Sequence, residues 1–268
     1  MFGTVEITGN LVAKTGILIG GNGQRLGRGP VDKEIIRDPN TGMPYLPGSS
    51  LRGKIRFLVE KTLGAPANKR VANSMIHTCT QSPACSVCLL FGVDANNSSG
   101  AGKSRIDVMD SFLNPDSENI ILSKDTDGIG TEYKTEAVLD RVTSAATPRT
   151  NERVIAGAIF DFEANYHLQG VEDRTLLKIF LGGMLAIEDY GIGAATSRGY
   201  GQVTLENLAI VFHSRAYYLG EEQPIVLIEA PTIGDIVKSY DEWINQVPWN
   251  DTNNETVFEV HNNAEEVK

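Results

Sequence analysis

Residues 153–213 read RVIAGAIFDFEANYHLQGVEDRTLLKIFLGGMLAIEDYGIGAATSRGYGQVTLENLAIVFH, and the changes of period inside them decide the fold. Ile159, Phe160, Phe162 and Tyr166 mark a long strand over 153–168. The period then lengthens. EDRTLLKIFLGGMLAIEDY predicts an amphipathic helix over 172–190, capped near Asp173 and stopped by Gly191. Val203, Leu205, Leu208 and Ile210 return to a strand over 199–213.

The same order recurs towards the N-terminus. GTVEITGNLVA predicts a strand over 3–13, followed by a loop-like stretch over 20–48 rich in glycine and turn-forming Asp-Pro and Asn-Thr-Gly sequences. Ser49 or Ser50 then caps a helix over 50–63, whose Leu51, Ile55, Leu58 and Val59 share one face. RIDVMDSFL predicts a strand over 105–113. Stripped of insertions the chain reads β-α-β-β-α-β. That order predicts an α+β, ferredoxin-like core with two helices on one face of an antiparallel sheet. Residues 1–220 are expected to form this domain, with excursions at 65–104 and 118–152. Residues 221–268 read as an acidic extension with one short helical stretch (231–247) and a disordered end.

Residues 221–268 carry eleven acidic against two basic side chains, which is −9 of the net −10. The remaining 220 residues are nearly balanced, so the acidic total does not exclude a basic face for a polyanion. No apolar run approaches the roughly 18 residues that span a bilayer, and the N-terminus has no leader pattern, so a cytoplasmic protein without membrane contact is expected.

All three cysteines and one histidine fall within HTCTQSPACSVC (77–88). His77, Cys79, Cys85 and Cys88 are four soft or borderline donors at H-x-C-x5-C-x2-C spacing, which suits a closed, structural tetrahedral Zn²⁺ site. A reduced thiol cluster and a redox C-x-x-C pair are the alternatives. SSGAGKS (98–104) resembles a phosphate loop but has Asn97 where the motif needs glycine, and it precedes a strand, so nucleotide hydrolysis is not expected. Arg52, Lys54 and Arg56 surround the start of a helix. They suit either a phosphate-backbone cradle or a solvated face. GIGAATSRGYGQV (191–203) combines glycines with Arg198, and reads either as a helix stop or as a place where a ligand approaches the backbone. In RGPVDKEIIRDP (28–39), Asp38 precedes proline and reads as a turn former, while Asp32 has no such structural role and reads either as an ordinary surface aspartate or as a carboxylate that shares a divalent cation with a phosphate.

TGILIGG, VDKEIIRDPNTGMPYLPGSSLRGKIR, CSVCLLFG, TEYKTEAVLDRVTSAATPRTNERVIAGAIFDFE and GIGAATSRGYGQV occur in one order along residues 3–213. In that order they resemble the repeated backbone subunit of type III (Csm-like) CRISPR effector complexes, in the RAMP superfamily. The resemblance implies a modified RRM fold, stacking of copies along a guide RNA, and other effector subunits as partners. It implies guide contacts at Gly20, Gly21, Ser49, Ser50, Arg52, Lys54, Arg56, Arg198 and Gly199. Residues 120–150 look like the family's thumb hairpin, which wedges into the guide–target duplex, with Arg141, Arg149 and Arg153 as RNA contacts. Asp32 matches the aspartate that cuts complementary target RNA with a divalent metal, Mg²⁺ or Mn²⁺. A catalytically inactive RNA-binding scaffold is the alternative. Leu18 departs from the pattern, since this position often carries an RNA-binding histidine. A guide-processing ribonuclease would want a histidine in an RNA-facing glycine loop, and His77, His167, His213 and His261 lie elsewhere.

Overall fold

The structure is a computed structural model that describes residues 3–20, 33–72, 74–80, 82–93, 97, 99–115, 117 and 130–249. Among them a five-stranded antiparallel sheet runs in the order β4-β7-β1-β8-β9. Its strands are β1 (Gly3–Ala13), β4 (Ile106–Val108), β7 (Ile159–Leu168), β8 (Val203–Ser214) and β9 (Ile225–Thr232). The first four, with α1 (Gly48–Thr62) and α3 (Asp173–Tyr190), make the β-α-β-β-α-β core expected from the sequence.

Alternation in the strands sends Val5, Ile7, Leu11, Phe160, Phe162, Tyr166, Leu205, Ile210 and Phe212 to one face, where they are buried. Leu51, Ile55 and Leu58 of α1 and Leu177, Phe180, Leu181 and Met184 of α3 close over them. The two helices touch at Gly183, where a Cβ would stand 2.6 Å from Val59 Cγ2. Only glycine allows that approach.

The opposite face of the sheet is acidic. Glu6, Asp107, Asp161, Glu163, Glu206 and Glu229 alternate with the buried residues and project from it. His167 is held there by Asp107 at 2.7 Å, and Lys14 reaches Glu206 at 3.5 Å.

Four sequence expectations shift. The strand expected over 153–168 is two strands: β6 (Ala146–Val154) ends, the chain turns through Gly157 at φ 87°, and β7 begins at Ile159. The Gly157 amide donates to Ala13 O at 2.7 Å, which fixes that turn beside β1. The strand over 105–113 shortens to β4, because Asp110 turns to accept from the Gly48 amide at 2.7 Å. Asp110 thereby supplies the acceptor at the start of α1 that Ser49 or Ser50 was expected to give. The strand over 199–213 starts at Val203, with Gly199 and Gly201 left-handed before it.

The excursions also resolve. Of the excursion expected over 118–152, residues 118–129 lie outside the described residues, and the rest enters a hairpin of β5 (Thr131–Leu139) and β6 that runs on to Val154, paired from Thr131↔Val154 to Leu139↔Ala146. Asp140 accepts from the Val142 and Thr143 amides at 2.8 Å to close its tip. The insertion over 65–104 holds the small hairpin β2 (Lys69–Val71) and β3 (Ser74–Ile76), then α2 (Ser86–Phe91).

The described residues beyond 220 do not sit outside the core. After α4 (Arg215–Tyr218), β9 pairs with β8, and α5 (Ile233–Lys238) and α6 (Tyr240–Trp243) bury Ile233, Ile236, Tyr240 and Trp243. The expected disordered end lies outside the described residues. Among the described residues no helix is long and apolar enough to cross a membrane.

Candidate nucleic-acid interface and metal centre

The segment after α1 is short of apolar residues, and its side chains converge on one point. His77, Cys79, Cys85 and Cys88 bring their donor atoms within 4.8 Å of one another. His77 Nε2 stands 3.2 Å from Cys85 Sγ and 3.5 Å from Cys79 Sγ. Two ligands of one tetrahedral zinc are separated by about 3.5–3.8 Å, so the donor set fits that ion. His77 Nδ1 lies 2.9 Å from Pro66 O, which holds the proton on Nδ1 and leaves Nε2 facing the thiols. Burial pushes the Cys88 thiol up to about 12. Burial acts the same way on Cys79, but the Cys85 amide and the His77 ring outweigh it and bring that thiol down to about 7. No fifth ligating side chain joins these four among the described residues, in keeping with a closed, structural site.

The cations of α1 divide into two groups. Arg52 donates to Phe91 O at 2.6 Å and Ser104 Oγ at 3.0 Å, and Arg56 donates to Glu60 at 2.9 Å and to His77 O at 2.7 Å. Both guanidinium groups lie over the Phe91 ring. They tie the helix to the cysteine segment. Ser49 and Ser50 are exposed, and the half-buried Lys54 has its pKa lowered by desolvation and then by the charge of Lys61.

A second constellation forms where the β5–β6 hairpin meets the glycine loops. Ile17 bridges Val154, and the Ala194 amide donates to Leu18 O at 2.8 Å. A Cβ on Gly193 would stand 2.4 Å from Leu18 O, so part of the glycine content of 191–203 serves close packing between loops. Arg153 bonds Glu132 at 2.7 Å and lies over the buried Tyr200 ring, with Lys134 over the same ring. Arg198, half exposed, reaches Glu136 at 3.4 Å. Slight burial opposes ionisation of Glu136. The nearby Tyr200 hydroxyl and the Lys134 and Arg198 cations outweigh it and lower its pKa. Gly20 and Gly199 are exposed beside these groups, and Arg141 and Arg149 are exposed on the hairpin.

Asp32 and Gly21 lie outside the described residues. The next residue, Lys33, is bridged to Asn151, and its carbonyl accepts from the Glu152 amide at 3.0 Å. Asp38 accepts from the Asn40 amide at 3.0 Å and the Thr41 hydroxyl at 2.8 Å, the turn expected of it. Sequence reasoning missed Glu132, Lys134, Glu136, Glu152 and Tyr200. The four charged residues stand on a hairpin whose alternating cations and carboxylates read as an ordinary solvated face, and Tyr200 lies in the glycine loop before β8.

The family model described as RAMP superfamily matches residues 10–204. The CRISPR system Cms endoribonuclease Csm3 of Methanothermobacter thermautotrophicus is 35% identical over 244 residues, which cover 86% of this chain and 95% of that protein. The protein of the same description from Methanocaldococcus jannaschii is 35% identical over 224 residues, covering 82% and 86%. Among solved structures, a chain of the Csm3–Csm4 subcomplex in the type III-A CRISPR–Cas interference complex superposes with a TM-score of 0.59 and 27% identity, over 90% of this chain and 96% of that one. Methanopyrus kandleri Csm3 shares the fold, with a TM-score of 0.64 and 20% identity over 93% and 99%. With the β-α-β-β-α-β core in place and the family match running through most of it, the chain belongs to the RAMP superfamily.

Proposed function

We propose that this chain is a guide-RNA-binding backbone subunit of a type III CRISPR interference complex, and that it cuts complementary target RNA at regular intervals. The observation that carries the reading is 35% identity to an endoribonuclease Csm3 across 95% of that relative's length. Its partners are then the guide RNA, the target RNA, further copies of itself and other effector subunits. The likeness to a chain of a Csm3–Csm4 subcomplex supports the last of these.

The chemistry divides between two places. The hairpin, the glycine loops and the exposed start of α1 bind and orient RNA. Ser49, Ser50, Lys54, Arg198, Gly199 and Gly20 touch the guide backbone, and Arg141 and Arg149 face the duplex. Arg52, Arg56 and Arg153 hold the interface together through their protein partners. A nucleotide splayed from the stack lets its 2′-oxygen align with the adjacent phosphorus, so that the bond to the 5′-oxygen breaks in line. Asp32 either orients that 2′-hydroxyl or holds a divalent cation, Mg²⁺ or Mn²⁺, which when bound supplies positive charge at the phosphate. His77, Cys79, Cys85 and Cys88 hold a structural zinc away from this chemistry.

The test is a reconstituted complex with Asp32→Ala. The variant should assemble and bind guide and target as the wild type does, with cutting lost at every position. An unchanged cutting pattern would remove Asp32 from the chemistry. A wild-type complex that binds target and never cuts would make the subunit a scaffold.

A further inference from the structure

We infer that Glu152 is a positioning residue for target cleavage, coupling the β5–β6 hairpin to the segment that begins directly after Asp32. The inference rests on the reading of Asp32 as the cleavage residue. Glu152 is buried at 4% exposure, in the last turn of pairing before β6 ends. Its Oε2 accepts from the Ile35 amide at 3.2 Å. Its Oε1 accepts from Arg37 at 2.5 Å and from the Thr131 hydroxyl at 3.0 Å. Arg37 also donates to Thr131 at 2.9 Å and to Gly42 O at 2.9 Å. The main chain adds the Glu152 amide to Lys33 O and the bridge between Lys33 and Asn151.

One carboxylate therefore joins three pieces: β6, which carries it; β5, through Thr131; and residues 33–37. This is more than a core needs. The hub is a charged pair taken out of water, which is a costly way to obtain stability alone. What it does give is a fixed register between the hairpin and the chain leaving Asp32. A hairpin that holds a displaced nucleotide and a residue that acts on its sugar must keep one geometry, and an error of about 1 Å costs on the order of 100-fold in rate. Burial opposes ionisation of Glu152, and Arg37 and the Ile35 amide outweigh it, so the carboxylate stays charged.

The experiment compares Glu152→Gln, Thr131→Val and Asp32→Ala in reconstituted complexes, measuring guide and target binding separately from single-turnover cutting at saturating target. Glu152→Gln keeps the shape and an acceptor for Ile35 but weakens the bond to Arg37. It should cut roughly 10- to 100-fold more slowly with target affinity unchanged. Thr131→Val removes only the bridging hydroxyl and should slow cutting severalfold, again with affinity unchanged; this milder variant decides the matter if Glu152→Gln fails to assemble. Wild-type cutting rates in both variants, beside an inactive Asp32→Ala, would overturn the coupling and leave the assignment of Asp32 intact. Losses of affinity and rate in proportion would make the hub structural and overturn it equally. An Asp32→Ala complex that cuts normally would instead remove the reading beneath it.

Discussion

At the scale of single residues, the cysteine segment was legible and the charged hub was not. His77, Cys79, Cys85 and Cys88 lie within twelve positions, so their spacing alone announces a metal-sized cluster. Arg37 and Glu152 are 115 positions apart, and nothing local marks either as the other's partner. The cluster makes its own prediction. Purified protein should hold about one zinc per chain, and Cys88→Ser should lose it and fall in stability by on the order of 4 kcal/mol. Metal analysis paired with thermal unfolding reads both, and a metal-free wild type of full stability would exclude a structural zinc. Because Arg56 bonds the carbonyl of His77, the loss should also loosen the outer side of α1.

At the scale of elements, the helices and core strands followed their periods, whereas element ends obeyed distant groups. Asp110 starts α1 from 62 residues away, and Ala13 fixes the turn that separates β6 from β7. An alternating pattern from 153 onward could not show that break, since Val154 and Ile159 are both apolar. The hairpin offers the clearest test at this level. Its tip exposes Leu139 at 65% and Val142 at 92%, and such side chains contribute little to folding. Leu139→Asp with Val142→Asp should therefore leave stability within about 0.5 kcal/mol. If the tip holds the displaced nucleotide, the same change should slow target cutting roughly tenfold through lost alignment. Guide binding in the same complexes is the control, and cutting at the wild-type rate would remove the tip from that role.

At the scale of the whole molecule, the β-α-β-β-α-β order could be read from the chain, and the fifth strand could not. PIVLIEAPT sits in a segment whose acidic composition suggested a tail, yet β9 extends the sheet, Trp243 and Tyr240 pack against each other, and Tyr240 bonds the Arg174 carbonyl of α3. Ending the chain at Gly220 should expose Ile233, Ile236, Tyr240 and Trp243 partners and prevent cooperative folding. Trp243→Ala in the full chain should cost about 3–5 kcal/mol, measured by denaturant unfolding, and a change under 1 kcal/mol would show these helices to be dispensable.

The acidic sheet face bears on how any nucleic acid can lie on this molecule. A strand drawn across Glu6, Asp161, Glu163 and Glu229 would set one phosphate charge per nucleotide against fixed carboxylates. A strand laid there would therefore meet charge repulsion, a cost that would disfavour that orientation before any specific contact forms. Salt acts on that repulsion as it acts on the attractive side. With a screening length of about 10 Å at 0.1 M, added ions weaken the penalty for the wrong orientation along with the reward for the right one. Ionic strength would thus bear on which way round a strand sits as well as on how tightly.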